Sequence, residues 1–479
     1  MSGKHTRRRR FPIFSLIAIL ILVLAAVGAL VLRDKLPAVS PDPAESSAAE
    51  TTLPPETTVP PTTVPPTTVP PTTAPPVDLI ETTASFTVTG DLLMHKPVFN
   101  SCWDAEQRDW IFDPIFTYVS PYIQSADYAV ANLETTLCGP DNGYAYSGNP
   151  FFNCPDGIAR SSLSAGFDML LTANNHCYDT RSVGVRRTLE VLEQVGLESL
   201  GTQADAETPD YKVIEVGGIR VGMTAYAYET PDDRPDLPSL NGNQCHPSSV
   251  GMINSFDYDQ LDKFYSEIGD QFTAMKEEGA EAIIVYMHWG EEYHLNPTKF
   301  QVAIAQKLCD MGVDVIIGGH PHVVEPVDLL TSTEDENHRT LVIYSTGNFI
   351  SNQRIKYMDL KTGHTEDGIL FHFTLARYFD GSVEVLETSC TPTWVHMTGS
   401  PRSYRILPLD HSLQDKWQED FQISDSTYAA CVDSYNRTMD LVGEGLEKAQ
   451  AWFDAFHQAK DEELNGPSCP TEAETGATE

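Results

Sequence analysis

Two histidines flank a single proline in "GGHPHVVEP" (318–326), directly after the apolar run "VDVII". Imidazoles at the end of a buried strand suit metal binding or proton transfer. Other apolar runs end in residues of the same kind. The first delivers Gly90 and Asp91, with His95 four positions on, and the second delivers Asn132 and Glu134. A third ends in Asn174, Asn175 and His176, followed by Asp179. Later runs end in His288, Trp289, Gly290 and Glu291, then in His320 and His322, and then in Gly347 and Asn348.

Carboxylate, Asn amide and imidazole together suit Zn²⁺, Mn²⁺ or Fe, and suit Ca²⁺ poorly. One carboxylate can bridge two ions about 3.5 to 4 Å apart, and a water between them would lose a proton near neutral pH and become a nucleophile. A single histidine at a strand end is more often a structural group than a ligand. In His-x-His the alternate residues of an extended segment face the same way, so both rings can enter one cavity. His95, His246, His294 and His372 lack comparable neighbours and read as structural, and Trp289 reads as a packing wall.

Such groups need strands to deliver them. "SFTVTGD", "YAVANLE", "FDMLLTANNH", "IRVGMTAYAY", "EAIIVYMHWG" and "VDVIIGGHPHV" read as strands, and residues 182–196, 256–280 and 297–312 as helices. The alternation predicts an α/β domain with a largely parallel sheet, whose sites form beyond the carboxyl ends of the strands. Segments 339–350, 368–379 and 382–390 follow as successive strands, predicting a second, partly antiparallel sheet. The domain is expected over 84–400, followed by a helical extension at 401–460 and an acidic disordered tail at 461–479.

With 31 basic and 68 acidic residues among 479, the net charge is −37. Nucleic acid and anionic headgroups would repel such a chain, which excludes both as ligands. Six of the seven residues in "KHTRRRR" (4–10) are Lys, Arg or His, and an uncharged apolar run fills 11–32. A helix of that length rises about 33 Å, enough to cross a bilayer. The basic tail (1–10) would stay in the cytoplasm and the remainder outside. A retained single-pass transmembrane signal anchor is the preferred reading, and a cleaved signal peptide the competitor. Residues 33–77, with "TTVPP" repeated, predict a disordered Pro/Thr-rich stalk, of which 41–77 can reach roughly 110 Å. Of nine cysteines, Cys138 and Cys154 bracket a turn-rich loop and are expected to pair, since disulfides are permitted outside the membrane.

The segments "GDLLMH", "ANLETTL", "ANNHCYD", "HWGEEY", "GGHPHVVEP" and "YSTGNF" occur in that order. They resemble the motif series of the CapA family of capsule synthesis proteins, associated with poly-γ-glutamate biosynthesis, over roughly 85–390. That family is similar in turn to calcineurin-like metallophosphoesterases. The resemblance implies an αββα fold, a double β-sandwich flanked by helices, set between the N-terminal transmembrane helix and a C-terminal helix. It also implies a divalent transition-metal centre (Mn, Zn or Fe) of one or two ions. Asp91, Glu134 and His322 would hold the first ion. Glu134 would bridge to a second, held with Asn175, His288 and His320. His176 would protonate the leaving atom, and Asn132, Asp179, Glu291 and Asn348 would support the site. The Asp-x-His of phosphoesterases is absent, because Leu93 stands where the His belongs, so one ion remains an alternative to two.

Two functions follow. One is a metal-dependent hydrolase acting on a phosphoester or a γ-glutamyl amide. The other is a non-catalytic assembly or export component with a structural or polymer-binding metal. Either way the expected partners are membrane synthase subunits and an anionic envelope polymer.

Overall fold

The computed structural model describes residues 78–466, apart from 232, 233 and 235. The predicted basic tail, membrane span and stalk lie outside these residues, as does the acidic tail beyond 466. Among the described residues, no helix is long and apolar enough to cross a membrane.

Two large sheets form the domain, one of eight strands and one of seven. The first is built on Ile80–Leu92. Tyr128–Asn132 lies parallel on one side, followed by Met169–Leu171 and Glu198–Leu200. The second has Ile219–Tyr228, Ala282–His288, Val315–Gly319 and Arg339–Ile343 parallel and adjacent.

Strand residues alternate between two buried environments, which is why the runs read as continuously apolar. Ile284 and Tyr286 join Phe86, Val88, Val130 and Met169 in the core between the sheets. Ile283, Val285 and Met287 instead meet Phe264 and Ile268 of the helix Leu261–Glu277, and Ile304 and Leu308 of Lys299–Asp310. Ala129, Ala131 and Leu170 face Ile158 and Leu192 of the helices Gly157–Ala165 and Arg181–Val195. The result is a two-sheet sandwich with helices outside both faces.

The later strands depart from expectation. They do not make a sheet of their own. Asp367–Tyr378 pairs antiparallel with Ile80–Leu92, and Val383–Met397 and Tyr404–Pro408 extend the same sheet. The predicted strand 339–350 is divided: Arg339–Ile343 stays in the second sheet, and Asn348–Ile350 crosses to pair with Asp91 and Leu92 of the first. Gly90 permits that crossing, because a Cβ there would lie 1.8 Å from the Gly347 carbonyl oxygen.

The helix Asp425–Asn465 runs through the predicted extension and five residues into the expected tail. Its stripe of Val442, Leu446, Ala449 and Phe453 enters the core between the sheets, beside Val327, Val383 and Val385. It closes the open side of the sandwich.

The expected Cys138–Cys154 disulfide does not form; both are buried free thiols. Their backbones are close, and the Cys138 N–H donates to Asn153 Oδ1 at 2.9 Å. The side chains diverge. Cys138 turns toward Thr180 and Arg187, whereas Cys154 lies in the outer core with Cys102.

Glu325, the acid of "GGHPHVVEP", is fully buried and accepts from Gln301 Nε2 at 2.7 Å. That contact ties the helix Lys299–Asp310 to the turn after the second-sheet strands. Burial pushes the Glu325 carboxyl up to about 8. The folded state therefore keeps a proton that the unfolded chain releases near pH 4.5. Stability from this group is complete below that pH and falls by about 1.4 kcal/mol per unit until the folded pKa is reached. In the metal-free protein, urea denaturation between pH 4.5 and 8 should show a stability that falls more steeply with pH in wild type than in Glu325→Gln, by this slope. Identical slopes in the two proteins would show that Glu325 ionises normally.

Candidate metal centre

The strand ends converge on Glu134, at the carboxyl edge of the first sheet. Two groups of ligand atoms share it, each with its atoms within 4.8 Å of one another: Asp91, Glu134 and His322, and Glu134, His288 and His320. All are buried. Neither carboxylate oxygen of Glu134 has a hydrogen-bond partner. His288 Nε2 and His322 Nε2 stand 3.6 and 3.9 Å from Oε1, too far to donate. His320 Nδ1 is likewise buried and unpartnered. Leaving such atoms unpaired costs several kcal/mol, so they fit residues that hold cations.

Electrostatics agree with this fit. Burial, then the neighbouring Asp91, raises Glu134 well above the ordinary carboxylate range. Burial, then the other histidines, lowers His288 and His320 well below theirs. The imidazoles are thus neutral and have lone pairs to offer.

Surrounding side chains fix the ligands. Asn132 Nδ2 donates to Asp91 Oδ1 at 2.8 Å, and Asn174 Nδ2 donates to Asn132 Oδ1 at 3.1 Å. Asn175 Oδ1 lies 3.0 Å from His288 Nε2. Asn348 Nδ2 donates to the His322 carbonyl oxygen at 3.1 Å and to Gln353 Oε1 at 2.9 Å. Gln353 in turn donates to the Tyr293 hydroxyl at 3.1 Å.

His176 stands beside both groups. Its Nδ1 is 2.8 Å from Asp179 Oδ2, and the Phe152 ring packs edge-on at 4.6 Å. Asp179 is itself held by the Phe152 N–H at 2.6 Å.

The His-x-His pair is not extended, contrary to expectation. The strand ends at Gly319, and His320 and His322 take φ of +99° and +58°. Such angles cost a non-glycine residue of order 1–3 kcal/mol. The neighbouring turn helps hold them: the Tyr293 N–H donates to the Pro321 carbonyl at 2.7 Å, and the Trp289 N–H to that of Gly319 at 3.1 Å. This bend sends the two rings to different ligand groups.

Glu291 is a correction. It is exposed and pairs with His294 at 3.4 Å, away from the site, because the Gly290 turn points it outward. Its neighbour Glu292 is the acid near the centre, adding to the raised pKa of Glu134 and Tyr228 after burial. Sequence reading also passed over Tyr228, whose ring lies 4.6 Å from His320, and Asn241, which donates to Asp179 Oδ1 at 3.3 Å. Tyr228 ends a recognised strand, so the strand-end rule could have found it; Asn241 gives no such signal.

A family profile described as "Bacterial capsule synthesis protein PGA_cap" matches residues 85–353. The chain belongs to this family. The PGA_cap segment contains every residue of both ligand groups. Among relatives, Capsule biosynthesis protein CapA of Bacillus anthracis is 28% identical over 274 residues, covering 56% of this chain and 60% of that protein. PGA biosynthesis protein CapA of Bacillus subtilis (strain 168) is 25% identical over 316 residues, covering 66% and 72%. Thus the chain spans less than two thirds of the first of these relatives. A calcineurin-like phosphoesterase, YfkN from Bacillus subtilis, aligns with a TM-score of 0.37 and 14% identity, over 65% of this chain and 90% of that one.

Metal analysis of the purified protein after loading with Mn²⁺ or Zn²⁺ tests whether Glu134 is shared by two ions. Glu134→Ala should lose all bound metal, and His320→Ala and His322→Ala about half each if two ions bind. Full occupancy in Glu134→Ala would exclude it as the bridge.

Proposed function

We propose that this protein is a membrane-anchored, extracellular hydrolase of capsule-polymer biosynthesis, cutting a phosphoester or γ-glutamyl amide in the polymer or its precursor. The names of the CapA relatives support the polymer. The predicted span and stalk support the location, and membrane synthase subunits are the proposed partners. The observation that carries the chemistry is the unpartnered Glu134 carboxylate shared by two ligand groups beside His176 and Asp179.

Bound divalent ions would supply Lewis-acid polarisation of the scissile group and activation of water. The chain supplies the rest. Asp91, fixed by Asn132, and Glu134 would orient the ions with His288, His320 and His322. With Asp179 accepting the Nδ1–H, the imidazolium form of His176 would deliver its Nε2 proton to the departing oxygen or nitrogen. Phe152 holds the ring in place and keeps water from that side.

The test is hydrolysis of bis(p-nitrophenyl) phosphate and of a γ-linked glutamate oligomer by the Mn²⁺- or Zn²⁺-loaded protein. At least one should be cleaved. Glu134→Ala should abolish cleavage, and His176→Ala should slow it about 10²- to 10⁴-fold. No cleavage of either by fully loaded wild type would favour a non-catalytic role in assembly.

A further inference from the structure

His95 has no role in the mechanism above, yet its ring belongs to the same wall as His176. It precedes the short helix Lys96–Ser101, and its side chain makes no capping bond there. The backbone N–H of Asn352 donates to its Nδ1 at 3.3 Å. The Leu93 carbonyl, which accepts the N–H of His95 at 2.8 Å, also lies 3.2 Å from the same nitrogen. A backbone N–H can only donate, so Nδ1 presents its lone pair and the ring proton sits on Nε2.

That Nε2 makes no hydrogen bond within the described protein and is not a fully buried atom. The ring meets Phe152 edge-on at 5.2 Å, and the same Phe152 ring packs edge-on with His176 at 4.6 Å. It is close enough to His322 and His176 for both to act on it, after burial, in lowering its pKa to about 4. It is nevertheless absent from both ligand groups.

We propose that His95 is a substrate-binding residue of the metal centre, donating its Nε2–H to an anionic or carbonyl oxygen of the scissile group. The proposal rests on the hydrolase reading. His95 would fix that oxygen while His176, packed on the same Phe152 ring, serves the leaving atom. The two rings, each anchored through Nδ1, would divide these tasks.

The experiment compares full-length wild type, His95→Gln, which keeps a side-chain N–H donor, and His95→Ala. Metal content is measured first, then inorganic phosphate affinity by calorimetry on the loaded proteins. Long-range ¹H–¹⁵N NMR reports the His95 tautomer in the metal-free wild type. All three proteins should hold equal metal. Phosphate affinity should fall about tenfold or more in His95→Ala and much less in His95→Gln, and the tautomer should be Nε2–H. Unchanged phosphate affinity in His95→Ala at equal metal content, or an Nδ1–H tautomer, would overturn the proposal. Metal lost in His95→Ala would make it a ligand instead. Wild type without metal would sink the hydrolase reading and this proposal together.

Discussion

The constraint on which this structure turns is the carboxylate of Glu134, buried without a donor. A fold does not hold such a group cheaply. Several elements are arranged around it: three strand ends of the first sheet, two of the second, and the crossing strand Asn348–Ile350. Each brings one or two side chains, and each arrives from a strand buried on both faces. The sandwich core sets where the strands end; the ends set where the ligands stand.

The second sheet meets this constraint through strain and close contact. His320 and His322 adopt left-handed backbone angles, held by hydrogen bonds from the Trp289–Tyr293 turn. Gly318 is needed beside them, since a Cβ there would lie 1.8 Å from the Tyr344 carbonyl oxygen. The Gln301–Glu325 hydrogen bond braces the segment that follows. These bonds offset the strain of the bend, as strained functional backbone requires.

Much of the site was legible because sheets of this type put chemistry at strand ends. Asp91, Glu134, Asn175, His288, His320 and His322 could be read that way, since each follows an apolar run. What failed was local direction. An extended His-x-His was a sound expectation from alternation, and the left-handed bend carries no signature in the residue types. Glu291 and Glu292 are indistinguishable until the Gly290 turn fixes which lies nearer the centre. His95 seemed isolated because its neighbours Phe152, Asn352 and His176 come from distant segments. In the fold, the late strands were recognised as strands, but their sheet depended on a crossing that Gly90 permits only through its missing side chain. Cys138 and Cys154 were close in backbone, as spacing suggested, while side-chain direction decided against the bond.

Charge restricts how the proposed reaction can work. A chain of net −37 repels an anionic polymer at distances up to the Debye length, about 8 Å at physiological salt. Glu292 near the centre adds to that repulsion. Long tracks of polymer along the surface are therefore disfavoured, and attraction must be confined to the centre itself. There, cations held by the two ligand groups and short-range donors such as His95 would act on a single bond. An acidic surface around such a centre would admit one scissile group, at a polymer end or on a precursor, more readily than a long bound segment.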